Sequence, residues 1–169
     1  ASDFTVTLGD ECQGLMNVHH LWYEVIQRIM EEMAPVRMRF GVGIGPMSTH
    51  FEKHIAIGAD GQPYWFARKM LDELKQTRSG CRFIRYHSGE PEDILINALL
   101  ACIETIQSGR TEKQTAAARA MARHHRQESV AEQLGINQSA VSQRLQSARF
   151  YELEYAESQL IQYLKTKTY

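Results

Sequence analysis

The sequence lacks the features of a membrane-spanning or secreted protein. No run of about 18 apolar residues occurs, so no segment is long enough to cross a bilayer as a helix. No basic start followed by an apolar stretch is visible, so no secretory signal is predicted. With 43% hydrophobic and 23% charged residues, the composition is that of an ordinary folded protein and excludes general disorder.

Paired cysteines and a strong net charge are missing as well. Cys12, Cys81 and Cys102 show no C-x-x-C spacing, which favours reduced thiols in a cytoplasmic protein over a disulfide framework or a zinc site. The formal net charge is −1 over 169 residues. The chain as a whole therefore has no electrostatic bias towards nucleic acid or acidic membranes.

Glycine and charge are unevenly distributed along the chain. Every glycine except Gly135 lies before residue 110. Residues 1–110 contain 11 Lys and Arg against 14 Asp and Glu, whereas residues 111–169 contain 8 against 6. The glycine-punctuated part predicts an α+β domain over residues 1–90, and the nearly breaker-free remainder predicts a helical module over residues 91–169.

The first 90 residues alternate between strand and helix patterns. Strands are predicted at Phe4–Leu8, Glu11–Val18, Met38–Ile44, His54–Ile57 and Cys81–Tyr86, and helices at Leu21–Met33 and Pro63–Leu74. Alternate glycines leave one face of the third strand bare, so we expect another group to pack closely against its backbone. The first predicted strand begins at Phe4, and we expect an opening strand, absent from this sequence, to precede it. With that opening strand added, the predicted arrangement is a ferredoxin-like antiparallel sheet.

Two adjacent carboxylates, Asp10 and Glu11, lie at the tip of the predicted hairpin. Such a pair can hold a divalent cation against phosphate groups. From spacing alone a plain β-turn is the simpler explanation, because Gly-Asp is common turn chemistry.

A glycine-containing loop with Gly58 and Asp60 precedes the helix that carries Arg68. A loop of this kind at a helix N-terminus suits a phosphate group, because backbone N–H groups and nearby cations face the anion. The alternative is a polar connection followed by a solvated basic helix face.

Three sequence blocks resemble the SatD family. They are FTVTLGDECQGL at residues 4–15, RFGVGIG at residues 39–45 and AIGADGQPYWFAR at residues 56–68. Together with the helical part, the resemblance covers most of the chain.

The same blocks resemble, more distantly, class III nucleotide cyclases and diguanylate cyclases. That resemblance implies a Mg²⁺ site at Asp10 and a nucleotide site at which Arg68 contacts the transferred phosphate. Tyr64 stands where those enzymes carry Asn, and the metal-binding Asp of their first strand has no counterpart. Because such chemistry needs two metals, we expect a degenerate, nucleotide-sensing or structural domain. The alternative is a metal-dependent nucleotidyl cyclase or another phosphoryl-transfer enzyme.

The second half predicts consecutive helices with short connections. They cover Glu92–Gln107, Thr111–His125, Gln127–Leu134, Gln138–Ala148 and Phe150–Leu164. Gly135 suits a helix end and Asn137 suits the cap of the next helix. The expected buried contacts around this turn are Val130, Ala131, Leu134, Ile136, Val141 and Leu145.

Residues 111–150 resemble helix-turn-helix modules of the sigma-factor region-four and response-regulator type. The side chains predicted to face DNA are Gln138, Ser139, Ser142, Gln143 and Arg144, with Arg126 near phosphates. Gln and Arg suit adenine and guanine edges respectively. We therefore predict a DNA-binding transcription regulator whose first domain has a sensing or assembly role.

Two other interpretations of this segment stay open. The module charge of +2 is a weak basic footprint, so the helix-turn-helix could serve protein contacts alone, and a third possibility is an interaction protein in which neither site functions. The last helix, over Phe150–Leu164, either folds back or forms a homodimer, and the sequence does not decide between them.

Overall fold

α-Helices account for most of the chain that the structure describes. The computed structural model describes residues 4–48, 61–76 and 82–167. The strands are β1 (Thr5–Leu8), β2 (Glu11–Gln13), β3 (Phe40–Gly43) and β4 (Ile84–His87). The helices are α1 (Trp22–Glu32), α2 (Gln62–Gln76), α3 (Asp93–Ser108), α4 (Glu112–His124), α5 (Gln127–Leu134), α6 (Gln138–Ser147) and α7 (Phe150–Thr166).

Contacts within the chain divide it into two compact units. Unit 1 comprises residues 1–100 and 160–169, and unit 2 comprises residues 101–159. The four strands lie in unit 1 with α1 and α2, and unit 2 contains α4, α5 and α6. Helices α3 and α7 contribute residues to both units.

The described strands form two separate two-stranded sheets. β1 and β2 pair antiparallel as a hairpin, with Val6 opposite Cys12. β3 and β4 pair in parallel, with Phe40 opposite Ile84. The second sheet is parallel because a long connection that contains α2 brings the chain back before β4 begins.

The predicted ferredoxin-like antiparallel sheet is therefore wrong. The residues that the structure describes contain no such sheet, and most of them are helical. The return strand predicted over Glu11–Val18 ends at Gln13, and the strand predicted at His54–Ile57 lies outside the described residues. Side-chain alternation indicates that a segment is extended but does not identify its partner or direction.

β3 and α2 pack together at backbone distance. A Cβ atom added to Gly41 would lie 2.1 Å from the carbonyl oxygen of Ala67, and one added to Gly43 would lie 2.0 Å from that of Pro63. Both glycines face α2, since alternate residues of a strand share a face. The close approach predicted from the glycine pattern is confirmed, and its partner is a helix of the same chain.

Aromatic packing ties α1 to the parallel sheet. The ring of Trp22 stacks on that of Tyr86 with centroids 5.4 Å apart, and both residues are buried. Tyr23 and Ile26 continue the buried face of α1. Helices are also present over each segment of the second half where the sequence predicts one.

Candidate functional site

A small apolar core holds α4, α5 and α6 together and sets the orientation of α6. It consists of Ala117, Ala118, Ala120, Val130, Val141, Leu145 and Phe150, with Met121, Ala131, Leu134 and Ile136 packed against it. Of the six buried contacts predicted around the turn, Val130, Val141 and Leu145 are buried in this core, and the other three are partly buried against it. Small alanine side chains on α4 allow α5 and α6 to approach that helix closely.

The connection between α5 and α6 has the geometry that its sequence predicts. Gly135 ends α5 in the left-handed conformation, with φ of 62°, where a glycine has no side-chain clash. Asn137 caps α6, and its side-chain oxygen accepts a hydrogen bond from the Ala140 N–H at 2.8 Å. Both signals act within a few residues, so the sequence alone is enough to predict the geometry of this connection.

The polar residues predicted to face DNA lie largely on the outer side of α6. Gln138, Ser139, Ser142 and Gln143 are exposed. Arg144 is half-buried and lies at the flank of this surface. Val141 and Leu145 are fully buried on the opposite side, so the helix cannot rotate without losing its core contacts.

One exposed residue of this surface was missed by the sequence analysis. Gln146 is exposed, and with Ser139 and Gln143 it completes an i, i+4, i+7 row along α6. The helical spacing of these three residues was a signal that could have identified it. We refer to Ser139, Ser142, Gln143 and Gln146 as the polar face of α6.

Arg126 lies beside an acidic residue near the start of α6. Its Nε atom is 3.8 Å from a carboxylate oxygen of Glu128, and both side chains are mostly exposed. Gln138 Nε2 donates a hydrogen bond to the other Glu128 oxygen at 3.3 Å. Glu128 therefore places a negative charge between two of the residues predicted to contact DNA.

The helices around the polar face carry an excess of positive charge. Residues 111–149 contain six Lys and Arg against three Glu. Arg119, Arg123 and Arg126 are all exposed. The basic excess is concentrated in this segment and is diluted when residues 150–169 are included.

At the hairpin, the predicted metal ligand Glu11 forms ion pairs with α2. Arg68 Nη1 lies 2.8 Å from one carboxylate oxygen, and Lys75 Nζ lies 3.0 Å from the other. These contacts hold the pKa of Glu11 below its usual value, chiefly through the hydrogen bond from Arg68 and then through that from Lys75. The structure thus brings Glu11 and Arg68 together, but each neutralises the other's charge.

Lys75 was missed by the sequence analysis, although its position on α2 follows a simple pattern. It lies seven residues after Arg68 and so shares its helix face. Asp10 is exposed at the hairpin tip. Gly58 and Asp60, predicted to contact phosphate, lie outside the described residues. Within the described part of the chain no three His, Cys, Asp or Glu side chains are grouped as a metal site.

A second carboxylate, Asp93, closes the turn between β4 and α3. It accepts hydrogen bonds from the backbone N–H groups of Ser88 and Gly89 at 2.9 and 3.0 Å, and from Ser88 Oγ at 2.6 Å. His87 Nδ1 lies 2.7 Å from the same carboxylate. With this many donors around it, the buried Asp93 stabilises a turn. This role of Asp93 was not predicted from the sequence.

A cleft of about 1520 Å³ lies within unit 1. It is bordered by the hairpin, α1, β3 and α2, and Glu11, Arg68 and Lys75 line part of it. Small-molecule sites commonly occupy roughly 300–1,000 Å³. The cleft therefore has room for a ligand the size of a nucleotide next to the basic side chains of α2.

The family of the chain follows from comparison with known proteins. The model of the SatD family matches residues 1–157. The chain belongs to the SatD family. No curated protein and no solved structure gives a significant match. The hairpin, β3, α2 and the three helices around the polar face of this SatD family member all lie inside the matched range.

Among the described helices of this SatD family member, none combines the length and apolar character that a bilayer-crossing helix requires.

Proposed function

We propose that this SatD family member is a DNA-binding transcription regulator in which α6 contacts base edges in the major groove. In this proposal α4, α5 and α6 act as a helix-turn-helix module. The observation that carries it is the division of α6 into two sides. Val141 and Leu145 are fully buried, while the polar face is exposed and contains no acidic residue.

The chemistry of the polar face supports this assignment. Glutamine side chains present a donor and an acceptor together, which matches the pattern of adenine in the major groove. Serine hydroxyl groups donate or accept and can contact either bases or phosphates. Arg144, at the flank of the polar face, suits guanine or a phosphate group.

The surrounding charge supports contact with the DNA backbone. Arg119, Arg123 and Arg126 are exposed on or next to α4, which packs against α6. Neutralising phosphates releases counterions, so we expect affinity to fall steeply as salt concentration rises. Arg126 is the phosphate contact that the sequence predicts. Its ion pair with Glu128 is 3.8 Å long and exposed, so it is weak enough for a phosphate group to replace Glu128.

For unit 1 we propose a sensing or assembly role. Its cleft is large enough for a nucleotide, and basic side chains line part of the wall. An anionic ligand there would compete with Glu11 for Arg68 and Lys75. Binding would then loosen the hairpin from α2 and so alter the conformation of unit 1.

The enzyme alternative has less support from the geometry. Both carboxylate oxygens of Glu11 accept hydrogen bonds from α2, so a metal ion would have to displace two cations. Calorimetry with ATP or GTP and Mg²⁺ separates the two proposals for unit 1. Nucleotide turnover that Asp10→Ala abolishes would favour the enzyme.

The test of DNA binding starts with selection of bound sequences from a random duplex pool, using the intact chain. Affinity for the selected site is then measured by fluorescence anisotropy. For Gln143→Ala/Arg144→Ala we expect about a 100-fold loss of affinity for that site, since each base contact contributes about 1–3 kcal/mol. Binding to random DNA should change much less.

The control variant is Arg28→Ala/Gln162→Ala, which removes the same two residue types from exposed positions on α1 and α7. It should bind the selected site like the unsubstituted chain. Circular dichroism checks that both variants are folded. A pool that yields no enriched sequence, or equal affinity for the two double variants, contradicts the proposed recognition face.

A further inference from the structure

The cleft in unit 1 has an excess of positive charge. The described residues that line it fall between positions 4 and 83 and all belong to unit 1. Two carboxylates, those of Asp10 and Glu11, line it. The five cationic side chains that line it are Arg37, Arg39, Arg68, Lys75 and Arg82. Since Glu11 is already paired with Arg68 and Lys75, the remaining cations favour a ligand with negative charge.

One wall of the same cleft is apolar and is formed by α1. Every residue of α1 that lines the cleft is apolar, namely Trp22, Val25, Ile26 and Ile29. Met33, just after the helix, and Leu71 on α2 extend the apolar lining. From Trp22 to Met33 the wall is about 16 Å long, at about 1.5 Å per residue. An aliphatic chain laid along this wall would be removed from water, whereas a polar ligand would leave the wall hydrated.

The direction of α2 places Lys75 at the amino end of β3. A Cβ atom added to Gly43 would meet the backbone of Pro63. Two residues earlier in β3, a Cβ atom added to Gly41 would meet the backbone of Ala67, four residues later in α2. The helix therefore runs opposite to the strand, and its last turn, which contains Lys75, lies level with the residues that precede β3.

Three arginines lie at this same end of the parallel sheet. Arg37 and Arg39 precede β3, and Arg82 lies two residues before β4. Because Phe40 pairs with Ile84 in parallel, Arg82 is level with residues 37–39. Neither Arg37 nor Arg39 forms an ion pair with any residue that the structure describes. Their guanidinium groups are therefore available to an anion in the cleft.

We propose that the cleft binds an amphipathic anion, with its aliphatic chain along α1 and its anionic head group at Arg37 and Arg39. Guanidinium groups form charge-assisted hydrogen bonds with carboxylate or phosphate oxygens. The inference names a ligand class for the sensing role proposed for unit 1, and it rests on that role only for its use in regulation.

The first experiment is isothermal titration calorimetry of the intact chain, without DNA, against octanoate, decanoate and dodecanoate below their micelle-forming concentrations. We expect affinity to rise about 4-fold for each added methylene group, which corresponds to about 0.8 kcal/mol. Dodecyltrimethylammonium has the same chain with a cationic head group. It should bind at least about 10-fold more weakly than dodecanoate.

The second experiment tests the two ends of the ligand with matched variants. Arg37→Gln/Arg39→Gln should lower the affinity for dodecanoate about 10-fold at low salt, because two charge-assisted contacts are lost. The control is Arg28→Gln/Lys69→Gln, which removes two cations of unit 1 that are outside the cleft lining. It should bind dodecanoate like the unsubstituted chain. All four positions are exposed, so both variants should remain folded.

For the aliphatic chain, Met33→Gln should lower the affinity for dodecanoate about 5-fold, because less apolar surface is buried in the complex. Val18→Gln is the control, at another exposed apolar position outside the cleft lining, and should leave the affinity unchanged.

A third experiment separates this inference from the proposed function. Affinity for the selected DNA site is measured by fluorescence anisotropy with and without saturating dodecanoate. Binding of dodecanoate without a change in DNA affinity would support the ligand class and contradict the sensing role. A chain that binds DNA but none of the alkanoates would retain the proposed role of α6 and overturn the inference.

Three further results would overturn it. One is an affinity that does not depend on chain length, and another is tighter binding of ATP than of dodecanoate. The third is binding to phosphatidylglycerol vesicles without binding of monomeric dodecanoate, which would assign the cations to a membrane surface.

Discussion

Glu128 lies between Arg126 and Gln138, at the edge of the surface proposed to contact DNA. Its negative charge would face the phosphate backbone in a complex. The same residue lies in the first turn of α5, where a carboxylate is favourable because it opposes the positive end of the helix dipole. Its two effects thus oppose each other, which makes it a useful residue to change.

For Glu128→Gln we expect tighter DNA binding, by about 3- to 10-fold at low salt, because repulsion of phosphate is removed. The gain should shrink as salt is added and the charges are screened. The free energy of unfolding should fall by about 0.3–1 kcal/mol through loss of the helix-dipole interaction. Fluorescence anisotropy and urea unfolding measure the two effects.

Glu24→Gln is the matched control, since Glu24 is exposed in the first turn of α1. It should show the small loss of stability without the gain in DNA affinity. Unchanged or weaker DNA binding by Glu128→Gln would place the DNA away from the N-terminal end of α6.

At the scale of elements, the contact between β3 and α2 depends on two glycines. The alternation of glycine predicted a close approach, and α2 fills that place. The partner could not be predicted, because many groups can approach a bare strand backbone. The same limit applies to the parallel sheet. The sequence indicates the strands β3 and β4 but does not indicate that they pair in parallel.

Gly43→Ala should destabilise unit 1 by about 2–3 kcal/mol, because overpacking forces the backbone to move. The added Cβ would lie 2.0 Å from the carbonyl oxygen of Pro63 and 2.7 Å from the nitrogen of Ala67. Thermal and urea unfolding measure the loss.

Gly109→Ala is the control, because its Cβ would lie 3.5 Å from the nearest atom, an ordinary contact distance. It should be neutral or slightly stabilising, since alanine restricts the unfolded chain. Equal stability of the two variants would mean that α2 is free to shift away from β3.

At the scale of the whole molecule, three ion pairs in unit 1 join distant parts of the sequence. Glu11 pairs with Arg68 and Lys75, and Glu92 pairs with Lys167. In each case a hydrogen bond from the cation is the largest cause that lowers the pKa of the glutamate. Protonation of these carboxylates is therefore coupled to unfolding.

We expect the melting temperature of unit 1 to fall as pH is lowered below about 4.5, the reference pKa of glutamate. A carboxyl group with a lowered pKa in the folded state stabilises that state above its unfolded pKa. The contribution is lost as pH falls through the folded value. Calorimetric scans between about pH 3 and pH 7, which bracket the reference pKa of glutamate, measure the trend.

Glu11→Gln should flatten this pH dependence, and Glu24→Gln should leave it as it is. Because the side chains are partly exposed, added salt should weaken the effect. A pH dependence that Glu11→Gln does not change would assign the acid sensitivity to other carboxyl groups.

The sequence by itself determined the helices of the second half. Gly135, Asn137 and the apolar spacing around them act over a few residues, so their effect does not depend on the rest of the chain. The buried contacts between α4, α5 and α6 follow from the same local periodicity. The SatD family resemblance also came from contiguous blocks of sequence, and the family match over residues 1–157 bears it out.

Only the tertiary structure decided the pairing of the strands, the partners of Glu11 and the buried side of α3. The cations that neutralise Glu11 lie 57 and 64 residues away in sequence. The apolar pattern of α3 predicts a helix but does not indicate which side is buried, because both sides are apolar. These features depend on which distant segments meet, and a one-dimensional pattern of residues contains no direct record of those contacts.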